Sequence, residues 1–178
     1  MKVLLRLLGG LAALLLLLAL AAFFLPRQYR VERTIVIKAR ADQVFPHFGD
    51  LRAWKNWGAW QARDPAMKMT YGEKTTGLGA WSAWESKTEG NGRMTLTGFE
   101  PGVRVSYRLE FPDMGMASNG AMALEPADGG VKVIWFDADD LGLNPVHRWF
   151  GVFLDRMIGP DFERGLANLK ALVEAAPK

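Results

Sequence analysis

The residues best suited to chemistry are two carboxylates at positions where a strand pattern predicts apolar side chains. Glu85 continues the alternation that includes Trp81, and Asp137 continues the alternation that includes Trp135. A carboxyl group that faces an apolar environment has a raised pKa and can act as a general acid or base. Glu85, Asp137 and the phenol of Tyr107, which lies within another alternating strand, are therefore the candidate catalytic residues. Both carboxylates lie at strand ends, so a solvated position without a function is the alternative.

Other catalytic and metal-binding patterns are missing from the sequence. His47 and His147 are the two histidines, and neither has an acid or a nucleophile at a recognisable spacing. The acidic run from Asp137 to Asp140 fits a solvated turn, and the chain has no cysteine. Phosphate loops, dinucleotide fingerprints and G-x-S-x-G motifs do not occur. We therefore expect no metal site and no cofactor; whether the protein is an enzyme stays open, and a non-catalytic role is favoured.

The charge distribution argues against a nucleic-acid partner. The net charge of +3 originates in residues 1–33, which hold five basic residues and one acidic residue. The rest of the chain is nearly neutral, so it has no basic surface of the kind that binds phosphates. With 178 residues, the chain has the length of one domain and an appendage.

Residues 1–29 are predicted to form a membrane anchor and a short linker. The run from Leu7 to Leu25 contains no charged residue, and about 20 apolar residues suffice for a helix to span a bilayer. A cleaved signal peptide with Ala19-Leu20-Ala21 as its cleavage site is the alternative, although Phe23-Phe24-Leu25 continues the run beyond that site. Basic residues flank the run on both sides, so we expect a single-pass membrane protein and leave the side of the soluble domain open. The short linker holds that domain close to the membrane.

Residues 30–178 are predicted to form one α+β domain in which antiparallel strands predominate. Turn-forming residues between alternating segments favour consecutive hairpins. Asp42 and Asp50 are expected to cap two short helices after the first strand. The predicted strands are Arg30–Lys38, Met67–Tyr71, Leu78–Ser86, Arg93–Glu100, Gly102–Phe111, Ser118–Glu125 and Val131–Asp137.

The last apolar-patterned stretch, Pro160 to Glu174, predicts a helix around which the strands fold. Because proline suits the first turn of a helix, Gly159-Pro160 is expected to interrupt the chain between this helix and an earlier one, Pro145–Met157, which could move as a gate. The apolar face of the last helix consists of Phe162, Leu166, Leu169 and Val173.

Two apolar clusters outside the strands have two interpretations each. Trp54, Trp57 and Trp60 follow at intervals of three; we expect them to plug one end of the core, and stacking on a ligand is the alternative. The loop Pro112–Met116 carries two methionines, which suit adaptable apolar contacts. It is either an exposed turn or the rim of a cavity mouth that faces the bilayer.

The order of the elements and several stretches resemble the SRPBCC superfamily, specifically its polyketide cyclase/dehydrase and lipid-transport branch with START-like domains. The resemblance covers about residues 30–175 and is specific for the fold rather than for a function. It implies a helix-grip fold: a curved seven-stranded antiparallel sheet wrapped around a long C-terminal helix, with two short helices after the first strand. To this, the present chain adds the N-terminal transmembrane helix. The stretches concerned are Thr34–Phe45, Asp50–Trp54, Asn56-Trp57, Tyr71-Gly72, Gly77–Trp81 and Gly165–Leu172.

The resemblance also implies an apolar cavity between the sheet and the C-terminal helix. Strand and helix parity then select the side chains expected to line this cavity and bind a ligand, and a solidly packed core is the alternative. These side chains are Trp81, Ala83, Met94, Leu96, Val105, Tyr107, Leu109, Val133, Trp135, Phe162, Leu166 and Leu169.

Together these expectations describe a membrane-tethered module that binds, transports or presents a hydrophobic small molecule or lipid. Burial of apolar surface would supply the binding free energy, about 25 cal/mol per Å². The first alternative is a cyclase- or dehydrase-type enzyme that acts on a hydrophobic substrate in the same cavity. The second is a protein-interaction module whose groove receives a peptide, as in the co-chaperone branch of the superfamily.

Overall fold

The computed structural model describes residues 2–176, in which the predicted strands form a single antiparallel sheet. The first residue of the predicted anchor and the last two of the predicted domain lie outside this range. The strand order across the sheet is β1-β7-β6-β5-β4-β3-β2. The strands are β1 Gln28–Ile37, β2 Lys68–Tyr71, β3 Trp81–Glu85, β4 Gly92–Glu100, β5 Arg104–Phe111, β6 Met116–Ala127 and β7 Gly130–Asp140.

Five α-helices accompany the sheet in the described part of the chain. The helices are α1 Lys2–Ala22, α2 Ala41–Val44, α3 Pro46–Gly49, α4 Ala59–Arg63 and α5 Pro145–Glu174. Short 3₁₀ turns occur at Ala53–Asn56 and Pro112–Met114. A seven-stranded antiparallel sheet that grips a long C-terminal helix, with short helices after β1 and an apolar helix at the N-terminus, confirms the predicted helix-grip fold.

The predicted interruption of the last helix at Gly159-Pro160 is wrong. Helix α5 runs continuously through Pro160, although an interior proline lacks one helical hydrogen bond and crowds the carbonyl four residues earlier. Arg33 of β1 holds the helix on both sides of the proline, since it donates to Asp155 at 2.8 Å and to Glu163 at 2.6 Å. Its guanidinium lies directly against Gly159, where a Cβ would collide with it. A sheet residue thus braces the helix across its weakest point.

The expected cap at Asp42 is also wrong. The residue that precedes α2 is Arg40, and the Asp42 carboxylate forms a bidentate ion pair with it at 3.0 and 2.7 Å. Asp50 accepts a hydrogen bond from the backbone N–H of Arg52 at 2.9 Å, just before the first 3₁₀ turn. A glutamine, Gln43, completes the capping interaction of α2 through the Arg40 backbone N–H.

Helix α1 is long and apolar enough to cross a bilayer, with a mean hydropathy of 2.6 and no burial inside the protein over its most apolar window. A signal sequence near an N-terminus passes the same test. The C-terminal end of α1 is joined to α5 by two hydrogen bonds. Arg148 donates to the Phe23 carbonyl at 3.1 Å, and the Trp149 indole donates to the Leu18 carbonyl at 3.0 Å. These contacts connect the apolar helix directly to the gripped helix.

Candidate functional site

A cavity of about 420 Å³ lies between the sheet and the first half of α5. This volume falls in the range of small-molecule sites, which are typically concave and mostly apolar. Methionines are unusually prominent in its wall, since six of the eight in the chain contribute. Because methionine is unbranched and flexible, such a wall can adjust to ligands of different shape. The six are Met67, Met69, Met94, Met114, Met116 and Met157.

The protein interior is divided along the strands into a closed core and this cavity. On β5, Val105 is fully buried in the core and Leu109 lines the cavity. On α5, Leu169 belongs to the closed core, whereas Phe150, Leu154, Met157, Ile158 and Phe162 line the cavity. The interior therefore contains both a solidly packed core and an apolar cavity, at opposite ends of the sheet.

The cavity lies at the end of the sheet that adjoins α1. Strand β1 begins at Gln28, just after α1, and this residue pairs with Asp140 at the end of β7. The start of β6 and the end of β5 lie at the same level, where Phe111 pairs with Met116. Phe111 and Met116 both line the cavity. The methionine-containing loop between β5 and β6 is thus close to the point where α1 joins the domain.

A layer of aromatic rings separates the core from the cavity. Trp54, Trp57 and Trp135 contact one another with ring centroids 4.9–5.8 Å apart, and Trp135 stacks on Phe162 at 4.0 Å. Gly165 permits this packing, because a Cβ there would lie 2.9 Å from the Trp135 ring. These tryptophans therefore lie at the end of the closed core that adjoins the cavity. The cavity is lined by Trp54 and Trp60 but not by Trp57.

A polar cluster is built into the cavity wall at Asp137. This carboxylate is 2% exposed; it accepts a hydrogen bond from the Tyr29 hydroxyl at 2.6 Å and another from Ser118 Oγ at 2.9 Å. The three residues come from β7, β1 and β6, and all three line the cavity. Nearby, the Trp135 indole donates to the Tyr107 hydroxyl at 2.8 Å.

Burial shifts the ionisation of this cluster. It raises the pKa of Asp137 above its usual range, and the hydrogen bonds from Tyr29 and Ser118 only partly offset that rise. Burial, together with the neighbouring Asp137 charge, raises the pKa of Tyr29 as well. The pKa of Tyr107 is raised for the same two reasons. Burial thus disfavours the charged form of the Asp137 carboxyl group relative to a surface carboxylate.

An ion-pair cluster closes another part of the cavity wall. Arg63 of α4 makes two hydrogen bonds to Glu89, at 2.9 and 2.6 Å, and a further one to Asp161 of α5. Glu89 lies in the turn between β3 and β4. The cluster therefore links the β3–β4 turn, α4 and the gripped helix, and the Arg63 guanidinium is paired with two carboxylates.

The structure brings together some of the predicted site residues and separates the others. Five of the twelve predicted ligand-binding residues and two of the three predicted catalytic residues line the cavity. Leu96, Val105, Val133, Leu166 and Leu169 are buried in the closed core. The residues on the cavity wall are Met94, Leu109, Trp135, Phe162, Asp137 and Tyr107, the last of which was predicted in both roles.

The predicted parity of β3 is wrong. Ser82 and Trp84 line the cavity, whereas Trp81 and Ala83 do not, and Glu85 is exposed. A tryptophan occurs on each face of this strand, so hydrophobicity alone could not choose between the faces. Arg93 stacks on Trp81 with its guanidinium carbon 4.0 Å from the ring centroid, which gives the outer tryptophan a partner without burying it. The acidic side chain of Glu85 was the available signal for the outer face.

Sequence reasoning also missed Tyr29 and Ser118, the two partners of Asp137. The predicted first strand began one residue after Tyr29, although this residue continues the inward parity of Val31. Extending the alternation backwards would have found it. Gln61 and Arg63 lie in a short helix between a tryptophan cluster and a strand, where no periodic signal was present.

These elements define the class of protein as a helix-grip domain with an apolar cavity between its sheet and its C-terminal helix. Residues 28–174 match the family described as polyketide cyclase / dehydrase and lipid transport. The chain belongs to this family, as the sequence resemblance predicted. Its domain is thereby a hydrophobic ligand-binding or cyclase-like SRPBCC domain. Among curated proteins, no sequence matches the chain.

Solved structures show the same fold at low sequence identity. Protein CV1439 from Chromobacterium violaceum is 19% identical, with a TM-score of 0.54 over 85% of this chain and 99% of that one. The Aha1 dimer from Colwellia psychrerythraea is 14% identical, with a TM-score of 0.58 over 84% and 98%. DynU16, from the dynemicin biosynthetic locus, is 15% identical, with a TM-score of 0.59 over 82% of this chain and 47% of that one.

Proposed function

We propose that this protein is a membrane-tethered module that binds a hydrophobic small molecule or lipid in the cavity between the sheet and α5. The observation that carries this proposal is the methionine- and aromatic-lined cavity of about 420 Å³. A ligand that leaves the bilayer for this cavity exchanges one apolar environment for another, so shape and the few polar groups of the wall govern selectivity. Transport or presentation of the ligand follows from release at a partner or at a second membrane.

The position of the cavity supports tethering at the ligand's source. The exposed apolar residues nearest to the end of α1 include Phe24, 92% exposed, and Val146, 71% exposed. Met114 and Met157, which line the cavity, are each more than half exposed. Apolar side chains beside a membrane helix are suited to insertion into the interfacial region of the bilayer. Under this proposal the rim of the cavity faces the membrane, and a ligand enters without crossing water.

The fastening of α1 to the domain supports a retained anchor rather than a cleaved signal peptide. Arg148 is buried, and its partners include the carbonyls of Phe23 and Gly142. Cleavage after Ala21 would remove the Leu18 carbonyl that accepts from the Trp149 indole, and it would place Phe23, a partner of Arg148, at a new N-terminus that is free to fray. A retained anchor keeps the Leu18 contact and holds the Phe23 carbonyl beside the buried Arg148 guanidinium, whose loss of partners would be destabilising.

Binding is tested by native mass spectrometry of the full-length protein extracted from membranes. A co-purifying hydrophobic molecule should appear with the wild type and be lost from Leu109→Trp, which fills the cavity. Val103→Trp is the matched control, because Val103 is half exposed and lies outside the cavity wall. Equal occupancy in both variants would refute binding in this cavity.

Tethering is tested by the intact mass and the membrane association of the mature protein. We expect an uncleaved N-terminus and a protein that resists alkaline extraction from membranes. Leu15→Arg should weaken insertion, because an arginine near the centre of a spanning helix costs about 2.5–3.5 kcal/mol. A mature protein that begins after Ala21 and is found in the soluble fraction would refute the anchor.

A cyclase-like enzyme is the second candidate, and the buried Asp137 carboxyl group favours it. A carboxylate with a raised pKa is a stronger base than a surface carboxylate, and the Tyr29 hydroxyl beside it could donate to a developing enolate oxygen. Proton abstraction next to a carbonyl is the chemistry that such a pair could support.

The assay for this candidate needs no knowledge of the natural substrate. A long-chain methyl ketone in D₂O should exchange its α-protons faster with the wild type than with Asp137→Asn, as followed by mass spectrometry. Asp139→Asn serves as the matched control, since it removes the same charge two residues away and outside the cavity wall. Equal exchange rates for the wild type and Asp137→Asn would exclude Asp137 as the base.

A further inference from the structure

The charged groups of the cavity wall are predominantly acidic. Among the described residues that line the cavity, Asp137, Glu89 and Asp161 are acids and Arg63 is the only Lys or Arg. Arg63 is already bound to both Glu89 and Asp161. No described lysine or arginine of this wall is therefore left to pair with an anionic ligand.

Asp137 differs from the other two acids because no cation balances it. Its partners are the hydroxyls of Tyr29 and Ser118, one on each carboxylate oxygen, and the ion pairs found within residues 2–176 do not include it. Each carboxylate oxygen can accept two hydrogen bonds, so each retains an accepting position. A buried carboxylate without a cation is unfavourable unless a proton or a ligand compensates it.

A second buried acceptor lines the same cavity. The Oε1 atom of Gln61 is shielded from solvent and accepts no hydrogen bond from any residue in the described range. A buried polar atom without a partner costs about 1–3 kcal/mol. A hydrogen-bond donor on a ligand is the complement that the Asp137 carboxylate lacks.

We propose that the cavity selects neutral or cationic amphiphiles whose polar group donates a hydrogen bond to Asp137, and that it excludes anionic ones. The ligand class is thus a long-chain alcohol or amine rather than a fatty acid or an acidic phospholipid. This inference rests on the proposed function, because it specifies the polar end of the ligand that the apolar wall receives. An anion in the cavity would lie beside Asp137 with no free cation to attract it, which places two like charges in a medium of low dielectric constant.

The experiment is a competition among dodecylamine, 1-dodecanol, dodecyl methyl ether and dodecanoate, with the full-length protein in detergent and occupancy read by native mass spectrometry. The four probes share one alkyl chain and differ in their polar group. Wild type, Asp137→Asn and Asp139→Asn are compared under identical conditions. Ratios between variants cancel the unequal partition of the probes into detergent.

In the wild type we expect the amine and the alcohol to exceed dodecanoate by about tenfold or more, a ratio that corresponds to 1.4 kcal/mol. Asp137→Asn should reduce the amine by about tenfold relative to the alcohol and should raise dodecanoate, while Asp139→Asn should match the wild type. Tyr29→Phe leaves the carboxylate in place and removes one of its donors, so it should keep or increase the preference for the amine over the ether. If Asp137→Asn does not fold, the occupancy ratio of the amine to the ether in Tyr29→Phe provides the test.

The outcomes separate the inference from the function on which it rests. Dodecanoate bound as well as dodecanol by the wild type, or probe ratios unchanged in Asp137→Asn, would overturn the selectivity and leave the cavity as a general apolar site. Failure of all four probes to bind the wild type would refute the proposed binding function and the selectivity with it.

Discussion

Replacement of Pro160 by alanine should stabilise the protein and, at the same time, slow the exchange of ligand. Pro160 lies inside α5 with its ring exposed, so its removal sacrifices no packing. In a helix interior, proline is about 3 kcal/mol less favourable than alanine. Alanine also has more conformational freedom than proline in the unfolded chain, which offsets about 0.4–1 kcal/mol of this stabilisation. We therefore expect Pro160→Ala to raise the free energy of unfolding by about 2 kcal/mol.

The brace formed by Arg33 provides a second test of the same reasoning. If the ion pairs to Asp155 and Glu163 hold α5 together across the proline, Arg33→Met should destabilise the protein, by about 1 kcal/mol for exposed pairs of this kind. The gain from Pro160→Ala should then be larger in the Arg33→Met background, and a double-mutant cycle measures this coupling.

The assays are urea unfolding of the full-length protein in detergent, hydrogen exchange, and ligand release from a preloaded sample. If residues 145–157 act as a gate, the helical hydrogen bond that Pro160→Ala restores within α5 should protect their amides and lengthen the residence time of the ligand. Pro126→Ala is the matched control, because Pro126 is exposed on β6 and its replacement repairs no helix. No gain in stability from Pro160→Ala would refute strain at the proline. Equal protection of residues 145–157 and 161–174, with and without ligand, would refute the gate.

Three further changes test the cavity wall, the anchor and the closed core. Because the folded-state pKa of Asp137 is raised, its contribution to stability is present in acid and is lost as the pH rises through that pKa. In urea unfolding, Asp137→Asn should therefore stabilise the protein at neutral pH. An increase in the free energy of unfolding that persists in acid would contradict this cause. Arg148→Met removes guanidinium hydrogen bonds worth about 1.5–3 kcal/mol and should speed tryptic cleavage at Arg27 in reconstituted vesicles, whereas unchanged cleavage would mean that Arg148 does not fasten α1. Leu169→Ala should lower the free energy of unfolding by about 2–5 kcal/mol, because it opens a cavity in the closed core. Leu109→Ala should lower it clearly less in the same assay, because the Leu109 side chain already borders a cavity. Equal decreases in the two variants would contradict the division of the interior.

The sequence predicted the fold well because its strongest signals are local and periodic. The alternation in β5 and the helical spacing of Phe162, Leu166 and Leu169 each follow from one buried face. Breaks in the pattern were interpreted less well. Pro160 by its local sequence predicts the start of a helix, whereas Arg33, far away in the chain, makes a continuous helix tolerable through Asp155 and Glu163. A brace between residues of distant strands and helices has no local signature.

The candidate site was predicted only in part, because parity identifies the inner face of a strand but not the depth along it. Val105 and Leu109 have the same parity in β5, yet one belongs to the core and the other to the cavity. Asp137 was found because it violates an apolar pattern. Tyr29 and Ser118 share the inward parity of their strands, but only the pairing of three strands places their hydroxyls beside Asp137.

The division of α5 explains how this fold can hold a cavity and remain stable. Leu166, Leu169 and Val173 pack into the closed core with Val105, Val133 and the aromatic layer, and their burial stabilises this end of the domain. The first half of α5 borders the cavity, and it is held by Arg33 at Asp155 and by Arg148 at the end of α1. We therefore expect substitutions of partly exposed wall residues such as Met114 and Met157 to leave the fold intact, because the closed core lies at the opposite end of the same helix. This separation predicts that ligand selectivity depends on a small set of wall residues, with Asp137 foremost among the polar ones.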